Sequence, residues 1–474
     1  MSKQLWAGFA RTDITPQTGN IPLAGYGAVQ FRIAARILDD LRCHAVAIGS
    51  DGKLECVMMT LDVVNLSEPL YVRYAEAVGA RLGIPAERVL IGATHTHSGP
   101  AVRDGEFEAI VEYQNYLEKV LPELAFRAVK DMKPAKVSYG SMEVGHEGAR
   151  FNFTRHYLMT KIEDRDKADR EELEVGDNFG NQYAQDKAHY CYVGHTEEAD
   201  HQMQLVKLSR EGDDDIVLIN FQAHATVTGG VKKLDMSSDF PGAVVRQAEK
   251  LIPGIKCVYL QGACGNLNPK TRMEEEAIPG ITMNLRADVN AYGAALAYYA
   301  QLILEKHMTD SVRDDFDILH AEPVYAFDHE DDSRVKDAQI IKEAHSKYGR
   351  TPEVDALCLK LGFNSVYHAN ACIRKVSADP EGSFRMNALR FGDCAMITAP
   401  VEMFNTTGMA IKAGSPYPVT LIKGYSCGGR SYLPSANAPL ACYERNVCVF
   451  ASGTAEKAAD KYVELLNELK ARED

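Results

Sequence analysis

The sequence contains no run of about eighteen consecutive apolar residues, so no membrane-spanning helix is expected. It is also short of positive charge. Its 52 Lys and Arg stand against 66 Asp and Glu, a formal net charge of −14. That balance argues against a nucleic-acid backbone or an anionic membrane surface as the main partner. The eleven cysteines are scattered and form no Cys-x-x-Cys pair. The opening residues, Met1 to Gly8, lack the apolar stretch and cleavage site of a secretory signal. Together these absences lead us to expect a cytoplasmic protein with reduced thiols. Internal repeats, low-complexity tracts and convincing linkers are absent as well. Gly262-Ala263-Cys264-Gly265 lacks the Lys-Ser/Thr and the glycine spacing of a nucleotide-binding loop. No α/β-hydrolase triad is expected.

What is present is enough to build a large core. The chain has 474 residues, 46% of them hydrophobic and 25% charged, a balance ordinary for a globular protein that needs no staples. Alternation predicts a strand over 7–14. The runs 43–49 and 55–64 flank Ser50-Asp51-Gly52 and read as a hairpin. Helices are predicted over 68–82, 105–131, 284–306, 333–361 and 454–471. Strands are predicted over 216–221, 257–260, 395–398 and 419–422. The 160–201 stretch is charged and poor in large aliphatics. A solvated insertion is the plain reading and a lid the functional one. We expect an α/β fold in which mixed β-sheets are flanked by helices. Residues 1–474 would form one catalytic domain with its site at strand ends.

The stretch Val89-Leu90-Ile91-Gly92-Ala93-Thr94-His95-Thr96-His97-Ser98-Gly99-Pro100 is the most informative. An apolar, partly β-branched run ends in two histidines. If both lie on the strand, alternation sends both imidazoles to one face. Two imidazoles on one rim suit a metal ligand beside a proton carrier. His224 follows the apolar run 216–221, Glu402 follows 395–398, and Tyr432 comes after 419–422. Each has a plainer reading: a hydrogen-bonded core histidine, a loop acid, an ordinary tyrosine. Cys264 reads as a small residue in a tight turn rather than a nucleophile. Only convergence would make a site, and spacing alone does not supply it.

Several segments, in order, resemble the neutral, non-lysosomal ceramidases and their bacterial relatives. The resemblance runs from about residue 7 to 450. Ala93-Thr94-His95-Thr96-His97-Ser98-Gly99-Pro100 is nearly that family's signature. Asn220-Phe221-Gln222-Ala223-His224, Ser237-Ser238-Asp239, Pro400-Val401-Glu402-Met403-Phe404, Tyr432-Leu433-Pro434-Ser435 and Tyr443-Glu444 are similar to its later motifs. The resemblance implies zinc-dependent hydrolysis of an amide. His95, His224, Glu402 and Tyr432 would hold Zn²⁺. His97 would carry protons, Arg155 would contact substrate and Tyr443 would be a second donor. The chain also departs from the family. Gly262 stands where a substrate-contacting serine is expected, no C-terminal immunoglobulin-like domain is expected after the last helix, and no signal is read. These departures turn the expectation from ceramide to a small, polar, soluble substrate. A metal-dependent ester or glycosidic cleavage and a non-catalytic metal-stabilised binding protein remain as alternatives, as does assembly into a homo-oligomer.

Overall fold

The computed structural model describes residues 4–16, 20–26, 32–102, 107–146, 150–167, 173–177, 188–229, 233–270, 288–329, 332–376, 379–439 and 442–473. The fold is mixed α/β, with a large mixed sheet flanked by helices.

The hairpin expected around Ser50 forms between Arg42–Ser50 and Lys53–Leu61. Its two turn residues, Asp51 and Gly52, have φ of 50° and 79°, the left-handed values that let a two-residue turn follow strand twist. The main sheet runs in the order Ile255–Gln261, Asp215–Phe221, Gln202–Arg210, Lys133–Glu143, Leu5–Asp13, Arg42–Ser50, Lys53–Leu61, Val89–Ala93. Its interior pairs are antiparallel and the pair at each end is parallel. Helices Glu68–Leu82 and Glu108–Lys130 share a core with the strands from Leu5 to Ala93. The first ends where Gly83 turns left-handed and its N–H donates to Gly79 O. Asp239–Leu251 and Val289–Lys306 cover the other end of the sheet.

A second sheet, in the order Phe316–Ala321, Met386–Phe391, Cys394–Thr398, Thr420–Lys423, packs on the helix Thr454–Ala471. Its last strand joins the two sheets. Asn220 donates to Leu260 O and Ile422 O at 2.9 and 2.8 Å and accepts from Ile422 N at 3.0 Å. Beyond that strand, Gly424 N donates to Gln261 O, Ala93 N donates to Tyr425 O, and Cys427 N donates to Ile91 O. One short loop is therefore bonded to both end strands of the main sheet, which must curl to bring them together. Gly92 permits the approach: a Cβ there would lie 2.1 Å from Ser426 Oγ and 2.2 Å from Lys423 Nζ.

Two expectations change. The 333–361 helix is two, Val335–Tyr348 and Pro352–Lys360. Gly349 turns left-handed and Pro352 starts the next helix, where its missing N–H costs nothing. Part of the 160–201 stretch is sheet: Tyr190–His195, His156–Lys161 and Glu174–Asp177 pair antiparallel, while 168–172 and 178–187 lie outside the described residues. The helix Asp239–Leu251 starts directly after Ser237-Ser238, whose hydroxyls both donate to Asp39 while Ser237 Oγ accepts from Asp239 N. Among the described residues no helix is long and apolar enough to cross a membrane.

Candidate metal centre

The strand that precedes the two histidines stops at Ala93, so strand alternation is not what pairs them. His95 has φ of 63°, a left-handed turn that a side-chain-bearing residue adopts at a cost. The turn folds the imidazoles together, with His95 Nε2 and His97 Nε2 3.0 Å apart. His224 comes from the far side of the curled sheet. Its ring centroid is 4.9 Å from that of His95 and 5.4 Å from that of His97. The ring nitrogens of all three lie within 4.8 Å of one another. Glu402 begins a two-residue strand that pairs in parallel with Tyr432–Leu433, so Glu402 and Tyr432 are register partners. Convergence, which spacing could not supply, is present for His95, His97, His224 and Glu402, and Tyr432 stands beside them with its ring 6.5 Å from that of His224.

Backbone carbonyls set the orientation of two rings. His95 Nδ1 donates to Val64 O at 2.7 Å. His224 Nδ1 lies 2.7 Å from Cys264 O and 3.1 Å from Leu267 O. Each carbonyl fixes the proton on Nδ1 and leaves the Nε2 lone pair facing the centre. Both rings are 1% exposed. Burial is the main reason their pKa values fall to about 3, so both are neutral at pH 7. His97 is pushed down as well, by burial and then by its two histidine neighbours.

The donor set fits a divalent cation. Glu402 Oε2 is buried with no hydrogen-bond partner among the described residues, and so is His224 Nε2. That oxygen lies 3.5 Å from His95 Nε2 and 3.4 Å from His224 Nε2. Ligand atoms at about 2.0–2.1 Å from one tetrahedral ion stand about 3.3 Å apart. The separation between the two Nε2 atoms of His95 and His97 is shorter, a hydrogen-bond distance. With His95 Nε2 the acceptor there, His97 donates, and its Nδ1 has no partner among the described residues.

Around this centre stand Cys264, Arg155 and Tyr443, which the sequence reading named, and Tyr425 and Tyr26, which it did not. Tyr425 stacks on His95 at 3.8 Å and its hydroxyl meets Cys264 Sγ at 3.2 Å. Cys264 is fully buried and burial raises its thiol to about 12, in keeping with a packing role. Tyr26 sits edge-on to His97 at 5.1 Å. It lies in a loop with no periodic pattern to flag it. Arg155 is 2% exposed. Its Nε donates to Glu444 at 2.5 Å and its Nη2 to Gly265 O at 2.6 Å, while Tyr432 lies within hydrogen-bonding reach. Burial raises the Glu444 carboxyl, but Arg155 and His156 outweigh it and hold the group below the usual carboxylate range. Tyr443 packs edge-on to Tyr432 at 5.6 Å.

Gly424-Tyr425-Ser426-Cys427-Gly428 has the spacing of a serine nucleophile elbow, which the expectation of no hydrolase triad left out of account. Ser426 is fully buried, donates to Gly424 O and accepts from Lys423 Nζ. It is part of the packing against Gly92.

No protein-family model matches the chain, and no curated protein does. Solved structures do, and the class they define is a ceramidase-like fold. A neutral ceramidase from Pseudomonas aeruginosa aligns over 100% of this chain and 75% of its own, with a TM-score of 0.70 and 16% identity. A ceramidase complexed with C2 aligns over 99% of this chain and 76% of its own, with a TM-score of 0.67 and 16% identity.

Proposed function

We propose that the chain is one zinc-dependent hydrolase domain that cleaves the C–N bond of a small polar amide. The observation that carries this is the placement of two neutral imidazole nitrogens 3.5 and 3.4 Å from one buried, unbonded carboxylate oxygen. His95, His224, Glu402 and Tyr432 are the ligands. A bound Zn²⁺ would supply hydroxide at neutral pH and polarise the scissile carbonyl. His97 carries the proton to the leaving nitrogen, since its Nε2 faces the centre, 3.0 Å from His95 Nε2, and a cation on His95 would release it from that contact. Tyr443 and Arg155 stabilise the oxyanion, Arg155 from a position locked by Glu444.

Two features support a compact polar substrate over ceramide. Gly262 leaves no room for the family's serine, since a Cβ would stand 2.8 Å from Gln222. The net charge of −14 disfavours an anionic membrane surface. The scatter of eleven cysteines with no Cys-x-x-Cys pair supports a reducing, cytoplasmic setting.

Metal analysis of protein never exposed to chelator tests the reading. About one equivalent of zinc is expected, and less than about half would overturn it. His97→Ala is expected to keep the zinc and lose amide turnover by about 100-fold or more. Ester turnover without amide turnover would move the assignment to another bond.

A further inference from the structure

The geometry points to Tyr367, on the helix Val366–Val376, as the residue that closes the histidine centre and restricts it to compact acyl groups. This rests on the reading of that cluster as the reacting centre.

The centre has two aromatic walls. On one side Tyr26 lies edge-on to His97 at 5.1 Å. On the other, Tyr443 lies edge-on to Tyr432 at 5.6 Å. Tyr367 reaches both walls. Its hydroxyl donates to Tyr26 O at 3.4 Å, and its ring meets Tyr443 at 5.4 Å and 83°. It thus spans from the proton-carrying histidine to the tyrosine ligand. The residues beneath are nearly sealed: His95 and His224 are 1% exposed, Tyr432 7% and His97 8%. A substrate reaches them only if something in this cover yields.

The helix that carries Tyr367 packs on two sides: Ala371 and Tyr367 lie with Phe404, Tyr432, Cys442 and Val447, and its other face belongs to a helical unit of its own. Ala338, Ile341, Val354, Cys358, Phe363 and Val366 form a core cluster of their own, apart from those of the two sheets. The hydrogen bond from Tyr367 to the Tyr26 wall is long, weak by the usual 2.7–2.8 Å standard for a hydroxyl donor. Displacing Tyr367 leaves both sheets intact. The cover is made of close-set rings, Tyr26 on His97, Tyr367 on Tyr443 and Tyr443 on Tyr432, and short acyl groups are those that enter with the least displacement of it.

Access can be read without a known substrate. Chelator-treated protein is exposed to diethyl pyrocarbonate, and the rate of carbethoxylation at His97 is followed by peptide mass mapping. Tyr367→Ala is expected to raise that rate about fivefold or more, whereas Tyr367→Phe, which keeps the ring, is not. Ile340→Ala, on the 49% exposed face of the same helical unit, controls for general loosening. A smaller rise in Tyr367→Ala, or an equal rise in Ile340→Ala, overturns the proposal. If Tyr367→Ala does not fold, Tyr367→Leu is held to the same criterion. A second arm compares acetyl and octanoyl anilides with zinc-loaded protein. Tyr367→Ala is expected to shift the ratio of kcat/KM about tenfold towards octanoyl, and an unchanged ratio removes the specificity role. If the protein holds no zinc, the hydrolase reading fails, while the carbethoxylation rates still decide whether Tyr367 is the cover.

Discussion

At the scale of the residue, the centre depends on carbonyl groups that turn two imidazoles outward from their own loops. Val64 O holds His95, and Cys264 O with Leu267 O holds His224. Removing a ligand should cost far more than removing a neighbour. Glu402→Gln keeps the shape but loses the charge and is expected to weaken zinc binding by about 100-fold or more, against about 10-fold for Tyr425→Phe, which only loosens the packing behind His95. A competition titration against a chromophoric chelator measures both, and equal losses would contradict the assignment. The same residues set a pH dependence. His95 and His224 titrate at about 3 when folded, below the unfolded value of 6.5, so the unfolded chain binds more protons in that window. Stability of the metal-free protein is therefore full above about pH 6.5 and lost as pH falls towards 3, by up to about 1.4 kcal/mol per pH unit for each histidine. Urea unfolding at pH 7, 6, 5 and 4 checks the slope, and a flat profile would show that the rings are not buried neutral. His95, His97, His224 and Glu402 were visible in the sequence as polar residues after apolar runs. The turn that pairs the first two was not, because a positive φ at a histidine has no sequence signal.

At the scale of the element, the seam between the sheets does the positioning. His224 follows a strand of the main sheet, while Glu402 follows a strand of the second. Asn220 fixes their relation by bonding Leu260 O and both backbone groups of Ile422. Asn220→Ala leaves these buried groups unmatched and is expected to cost about 3 kcal/mol of stability. Because His224 and Glu402 meet across this seam, zinc affinity should fall in the same variant although no ligand is touched. Denaturant unfolding and chelator competition on one preparation test both, and a stability loss with unchanged affinity would detach the seam from the site. Most of these elements were legible beforehand, since alternating and 3.6-residue patterns report which face is buried. The helix Thr454–Ala471 appears at its expected bounds. The break at Gly349 was passed over because the polar run on either side kept a helical composition.

At the scale of the whole molecule, four distant stretches of chain meet at one point: those around residues 95, 224, 402 and 432. Sequence order gives no measure of that closure. It comes from a sheet whose first and last strands are both bonded to the loop after Lys423. A cation held there would tie that closure shut, and would bind only the folded chain with full affinity. Linkage then fixes the expected effect. Zinc at about a thousand times its dissociation constant stabilises the fold by about 4.1 kcal/mol. For a chain of 474 residues, the unfolding entropy is about 1 kcal/mol/K, so Tm should rise by only about 4 °C. Scanning calorimetry of chelator-treated protein, with and without zinc, measures this shift, and His224→Ala should abolish it. A shift that survives in His224→Ala would place the stabilising metal elsewhere. The small size of the expected rise is itself informative: the sheets and their seam hold the fold, and the cation's larger effect is on which of the four stretches can react together.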